Sequence, residues 1–346
     1  MEELTRAFSY SYKTMPYYDV NGKIFNNKYL ALTYANTVKD IKFNAWDNYF
    51  TDLSEPIENI NTLIKRRAEQ LRDSYKYIRL HYSGGVDSYT ALKCFTDNNI
   101  PLDEILISKT DFFGLNTSAN YEIDTLAIPS IKDSKFPVTI INPSFYKWFN
   151  FTSDNNMISK GSLDFNTNSL LYYEQYPNLI KEDVAEIICE PKPTIIKKDN
   201  SYYTYFTDTS FFQEHGIGPN VVFFYCGYNC IPLYLKQAYM LKTFMKEKQF
   251  DTLKDYPLIN RAIGREYFST LQDLNLGKTG KVKNSIFYKQ KNYERIKQAY
   301  KLPEGKVLIN HWIDYHNKQY KQNKSWFTNP VGNFIGIRSI YHNLGT

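Results

Sequence analysis

The sequence predicts an α/β fold built on a parallel sheet, with an N-terminal hairpin-and-helix segment and a mostly helical C-terminal extension. Three observations carry this. Ile78, Leu80 and Tyr82 alternate along a short strand that runs into Gly84-Gly85 and then into a helix bearing Ala91, Leu92 and Phe95. A second strand at 104–109 and a third at 137–141 are separated by a helical stretch, and alternation of strand and helix is the pattern of a parallel sheet with crossover helices. A chain of 346 residues can bury a sizeable core in one large domain or two modest ones.

The elements follow in order. Asn21-Gly22 between Tyr18-Val20 and Lys23-Phe25 reads as a β-hairpin. A helix is expected next, opened by Ser54-Glu55-Pro56, with Ile57, Ile60, Ile64, Ala68 and Leu71 on its apolar face and Lys65, Arg66, Arg67 and Arg72 on the other. The strand at 78–82 comes after it. Asp97-Asn98-Asn99 ends the helix that follows the two glycines. Another helix is expected from Ser118 to Ile128, stopped by Pro129. Thr194 to Phe206 reads as a hairpin around Asp199-Asn200. Pro232 opens a helix carrying Leu235, Ala238, Leu241 and Met245. The chain divides into an accessory segment at 1–74, a sheet-bearing domain at 75–248 and a basic, mainly helical extension at 249–346.

Ser83-Gly84-Gly85-Val86-Asp87-Ser88 is the segment whose chemistry can be read directly. Glycines let the backbone turn sharply and approach a ligand. The start of a helix leaves N–H groups unpaired and carries positive dipole. Strand, glycine turn and helix N-terminus together make an anion cradle, to which Ser83 and Ser88 add hydroxyl donors. Asp87 repels phosphate, so its presence suggests a bridging metal ion. Two other phosphate motifs fail. Gly277-Lys278-Thr279-Gly280-Lys281 lacks the first glycine of a Walker A, because Gln272 stands there, and no G-x-G-x-x-G fingerprint occurs.

This hexapeptide resembles the pyrophosphate-binding loop of the ATP pyrophosphatases, the PP-loop family with an adenine nucleotide alpha hydrolase-like fold. Its members include the synthetase domain of asparagine synthetase, GMP and NAD synthetases, the tRNA lysidine and thiolation enzymes and 7-cyano-7-deazaguanine synthase. The match covers all six positions of the motif. The resemblance implies ATP and Mg²⁺ as cofactors, cleavage between the α and β phosphates, and activation of a carbonyl or carboxylate as an adenylate. Ser83, Gly84, Gly85, Val86, Asp87 and Ser88 would bind the ATP phosphates, and Asp87 would help hold Mg²⁺. The tip of the second strand would border adenine, making Ser108, Lys109 and Thr110 backbone neighbours, and 111–116 could cover the nucleotide. Cys189-Glu190-Pro191-Lys192-Pro193 resembles a Glu-Lys-Pro-like element of asparagine-synthetase-like proteins of phages and bacteria, in which a basic residue faces the phosphates. The order here is Glu-Pro-Lys-Pro, so Lys192 stands between a phosphate ligand and a plain surface lysine. Asp87, Ser88 and Lys192 are the catalytic candidates. The resemblance extends loosely through Lys236-Gln237-Ala238.

Composition bounds the rest. No apolar run approaches the ~18 residues of a membrane span, and Met-Glu-Glu-Leu-Thr-Arg at the start lacks an apolar signal core, so no membrane partner is expected and a cytoplasmic protein is. Richness in Lys, Asn and Tyr suggests an AT-rich genome, compatible with a bacterium or a bacteriophage. Cys94, Cys189, Cys226 and Cys230 do not form the two clusters of a zinc site and read as reduced structural thiols. Thiolation and deazaguanine synthesis, which need a cysteine cluster in the family, are thereby disfavoured. His81, His215, His311, His316 and His342 are dispersed and read as structural, with His81 near enough to the loop to reach phosphate. Residues 278–325 hold twelve Lys or Arg against three acids, interleaved with Tyr and Trp, a pattern that fits nucleic acid or a solvated face of lysine-rich helices.

The leading expectation is an ATP-dependent synthetase that adenylates a small-molecule or macromolecular acyl or carbonyl acceptor, releases pyrophosphate and forms a C–N bond. Asparagine synthetases proper carry a glutaminase domain with an N-terminal cysteine. Residue 2 here is Glu and 82 residues precede the loop, so free ammonia, another amine or a partner subunit is the expected donor. The alternatives are a PP-loop enzyme that modifies a nucleic-acid base and a non-catalytic nucleotide-binding phage or regulatory protein.

Overall fold

The structure is a computed structural model that describes residues 16–25, 31, 34–36, 38–109, 123–142, 178, 184–189, 192–208, 221–248 and 337–346. Its centre is a sheet of five parallel strands. These are β4 (Tyr77–His81), β5 (Glu104–Ser108), β6 (Val138–Ile141), β7 (Val184–Ile188) and β10 (Val221–Phe223), in the spatial order β10-β7-β4-β5-β6. The chain therefore builds outward from β4 to β5 and β6, then returns to the other side of β4 for β7 and β10. The reversal falls between β4 and β7. In an open parallel sheet the crevice beyond the strand C-termini at such a reversal is where ligands bind.

One face of the sheet packs against α1 (Ile60–Ser74) and α2 (Val86–Asp97). Ile78, Leu80 and Tyr82 meet Leu63, Ile64, Ala68 and Leu71 of α1 and Ala91 and Phe95 of α2 in a single core. The helix α2 ends at Asp97, and Asn99 then takes φ 54°, as expected from the Asp-Asn-Asn run. Within 1–74, α1 thus shares its core with the sheet.

The N-terminal hairpin forms as expected: β1 (Tyr17–Val20) pairs with β2 (Lys23–Phe25) across Asn21 and Gly22, both at positive φ. On its other edge β1 pairs with β3 (Ile41–Asn44), a strand that no turn motif announces. Trp46 meets Phe206 and Phe223 edge-on, joining this small sheet to the rest. A third sheet contains the expected hairpin, β8 (Thr194–Lys198) and β9 (Ser201–Tyr205), turned through Asp199 and Asn200 at positive φ. It is extended by β11 (His342–Asn343) and packs on α3 (Ile231–Lys248), whose Leu235, Ala238, Leu241 and Met245 are buried. The expected helical extension at 249–346 lies outside the described residues except for 337–346.

Three expectations need correction. The helix α1 starts at Ile60, because the Asn59 side chain caps it by accepting from the Thr62 N–H at 2.9 Å, and Ile57 is fully exposed. Arg67 is buried in α1, not on its solvent face. Pro129 does not stop the helix before it: a π-helical stretch, Ile123–Ala127, runs into a last turn, Ile128–Ser130, with the proline inside. Proline cannot donate into the helical ladder, and the bond it gives up falls next to the π-helical turn, where the backbone already departs from regular α geometry. Residues 118–122 of that expected helix lie outside the described residues. No helix among the described residues is long and apolar enough to cross a membrane.

Candidate functional site

Beyond β4, the Tyr82 N–H still pairs with the Leu106 carbonyl at 2.9 Å, and the chain then turns. Gly84 sits at φ 72°, where side chains are disfavoured. It is also crowded: a Cβ there would lie 2.7 Å from the Ala127 Cα and N. Gly85 is the N-cap of α2. The loop braces itself. Ser88 Oγ accepts from the Ser83 N–H at 3.3 Å and donates to the Gly85 carbonyl at 3.2 Å, and Ser83 Oγ accepts from the Gly85 N–H at 3.3 Å. The first helical bond of α2 runs from the Tyr89 N–H to the Gly85 carbonyl at 2.9 Å, so the N–H groups of Val86, Asp87 and Ser88 precede the ladder. Ser88 itself is buried, its hydroxyl turned into the loop.

The structure brings Lys192 to this loop. It lies just past the end of β7, across the reversal from β4, and its Nζ meets Asp87 Oδ1 at 2.5 Å. Both side chains keep partial exposure, 25% for Lys192 and 35% for Asp87. Glu190 and Pro191 lie outside the described residues. Tyr225, just past β10, is the third member of the group. Its hydroxyl donates to the Asp87 carbonyl at 2.8 Å, and its ring centroid lies 4.7 Å from the Lys192 ammonium. Tyr225 was missed by the sequence reading, since nothing in the apolar run Val221-Val222-Phe223-Phe224 marks its successor as a site residue.

On the other flank, Ser108 ends β5 exposed and Lys109 follows it. The Lys109 N–H pairs with the Ile141 carbonyl at 2.8 Å and its Nζ with Asp124 Oδ1 at 2.6 Å. Thr110 and residues 111–116 lie outside the described residues. The helical turn containing Asp124 also places Ala127 over Gly84 and Ser130 Oγ 2.6 Å from the Tyr82 hydroxyl. This segment therefore walls the loop on the β5 side.

The sheet's second face holds a charged row that the sequence reading did not anticipate. Arg79 is fully buried on β4, between register partners Glu104 on β5 and Glu186 on β7. Its Nε donates to Glu104 at 2.7 Å and its Nη1 to Glu186 at 2.6 Å. Burial alone would raise the Glu104 carboxyl, but hydrogen bonds from Thr139, Arg79 and Tyr77 outweigh it and hold the group below its ordinary value. His81, expected within reach of phosphate, has its Nε2 2.7 Å from the second oxygen of Glu186. The signal was present: each of three otherwise apolar strands carries one charge at matching register.

The loop side presents the exposed Ser83 hydroxyl, a helix N-terminus and one ammonium against one carboxylate. Such a donor set fits a polyphosphate, and a divalent cation between Asp87 and phosphate oxygens would reconcile that carboxylate with it. Among the described residues no three His, Cys, Asp or Glu side chains gather as a metal-binding group, so such a cation would need ligand oxygens as well. The four cysteines are unpaired by disulfides and buried. No family model and no curated protein matches the chain.

Proposed function

We propose that the chain is an ATP-dependent synthetase of the PP-loop kind, which adenylates a carboxylate or carbonyl, releases pyrophosphate and joins the activated carbon to an amine or ammonia. The observation that supports it is the convergence of Lys192 and Asp87 on the Ser83–Ser88 loop, beyond the central parallel strand where the strand order reverses. The adenine nucleotide alpha hydrolase-like fold is part of the same proposal.

The chain's own groups have clear tasks in this reading. The N–H groups at the start of α2 and the Lys192 ammonium hold the β and γ phosphates. Ser83 and Ser88 keep the loop in its cradle shape. Asp87 holds Mg²⁺, which supplies charge neutralisation for the departing pyrophosphate. A substrate oxygen attacks the α phosphorus, the bond to the β phosphate breaks, and the amine later displaces AMP. The protein contributes positioning and charge, with no side-chain nucleophile.

Product chromatography after incubation with MgATP, ammonia and candidate acceptors tests the proposal. AMP and pyrophosphate are the expected products, and ADP with phosphate would overturn it. The basic composition of 278–325 favours a second reading, modification of a nucleic-acid base. Strongly salt-dependent binding of tRNA or DNA, with ATP turnover stimulated by that nucleic acid, would select it.

A further inference from the structure

The end of β10 is held by two helices at once. From α1, Arg67 donates through Nη2 to the Phe223 carbonyl at 2.8 Å and through Nε to the Phe224 carbonyl at 3.3 Å. From α3, the fully buried Gln237 donates through Nε2 to the Tyr225 carbonyl at 3.0 Å. The backbone of Tyr225 is thereby fixed, and its side chain, 1% exposed, reaches the loop. The hydroxyl grips the first turn of α2 at the Asp87 carbonyl, and the ring faces the Lys192 ammonium. An ammonium over an aromatic face gains most where water is excluded. Burial pushes the Tyr225 hydroxyl well above the ordinary phenol value, so it stays a donor.

We propose that Tyr225 is a positioning residue of the loop site: its ring carries the Lys192 ammonium and its hydroxyl fixes Asp87, so that cation and carboxylate face one metal-bound polyphosphate. The proposal rests on the nucleotide reading above. When the ligand arrives, Lys192 exchanges the Asp87 carboxylate for a phosphate oxygen while remaining on the ring, and Asp87 is released to the metal ion. No covalent step is involved.

Calorimetric titration of the full chain with MgATP tests this across Tyr225→Leu, Tyr225→Phe, Lys192→Ala and their combinations. Lys192→Ala is expected to weaken binding roughly ten- to hundredfold, the worth of a hydrogen bond to a charged group. Tyr225→Leu should cost about fivefold or more. Because the ring acts through Lys192, Tyr225→Leu and Tyr225→Phe should bind alike once Lys192 is Ala. Tyr225→Phe keeps the ring and should recover about threefold or more of the affinity lost in the Leu variant. A Leu variant still weaker than the Phe variant when Lys192 is Ala, or a Phe variant as weak as the Leu variant when Lys192 is present, overturns the proposal while leaving nucleotide binding intact. If Tyr225→Leu does not fold, Tyr225→Phe decides: Lys192→Ala must then cost the same factor in the Phe background as in the wild type, and a cost that vanishes overturns the ring's role. A folded wild-type chain that binds no MgATP overturns the nucleotide reading, and this proposal with it.

Discussion

Gly84 is required for two independent reasons, and they predict different things. Its positive φ is a local demand of the turn, visible in the Gly-Gly motif. The second demand comes from Ala127, whose backbone a Cβ would strike at 2.7 Å. Backbone cannot step aside as a flexible side chain can. Gly84→Ala is therefore expected to lower folding stability by about 2 kcal/mol or more, adding a clash to the ~1 kcal/mol of left-handed strain. Urea denaturation measures it, and an unchanged midpoint would show that the 123–130 segment does not press on the loop. Loss of nucleotide binding in bulkier Gly84 variants is accordingly informative only alongside their stability. Asp87→Asn behaves in the opposite way. Its partly exposed pair with Lys192 contributes about 0–1 kcal/mol at most, so stability should barely change. On the proposed reaction, turnover should fall far more than MgATP affinity, since the carboxylate would act through the metal ion as pyrophosphate leaves. Full turnover in Asp87→Asn would show that the Asp87 carboxylate does not act in the reaction.

At the scale of elements, the row across β7, β4 and β5 combines strand register with charge. Arg79 gives its guanidinium to two carboxylates, and all three side chains are almost fully buried. Taking charges out of water is costly, and removing one partner from such a group leaves the cost uncompensated. Glu104→Gln is expected to destabilise the chain by about 3 kcal/mol or more. A pH dependence follows from the same contacts. The folded Glu104 value lies below the ordinary 4.5, so its stabilisation is fully present above that value. It is lost as pH falls below 4.5 and through the folded value. Urea midpoints measured from about pH 6 to about pH 3 should fall for the wild type and fall less steeply for Glu104→Gln. Equal slopes would mean that Glu104 does not change its proton affinity on folding.

For the whole molecule, the sheet, its helices and the two smaller sheets share contacts over long stretches of chain. The hydroxyl of Tyr18 reaches Asp208 at 3.1 Å, and His342 meets Asp47 at 3.0 Å. Unfolding should therefore open the cysteines together. All four thiols are buried, and burial pushes the Cys94 thiol up to about 12, so its reactive thiolate is scarce at neutral pH. The native chain should react negligibly with an aromatic disulfide reagent, and all four thiols should react in urea. Rapid reaction of any one thiol in the native chain would point to local opening there.

Short-range chemistry was readable along the chain. Asn21-Gly22 and Asp199-Asn200 specify hairpin turns because these residues accept positive φ. Period-2 and helical spacing marked β4, α2 and α3, and strand–helix alternation implied a parallel sheet. The Ser83–Ser88 loop was legible because strand, glycines and helix start are contiguous. Which distant groups meet is fixed by the folded arrangement of the strands. Lys192 and Tyr225 reach Asp87 from the far side of the strand-order reversal, 105 and 138 residues along the chain. Arg67 is buried because the carbonyls that accept its hydrogen bonds lie 156 and 157 residues away, although its neighbours in α1 suggested a solvent face. Ile57 fits the helical spacing yet stays in water, because the Asn59 cap fixes the start of the helix beyond it. Local preferences act through adjacent dihedrals, whereas these contacts depend on which strands become neighbours, and residue spacing carries no record of that.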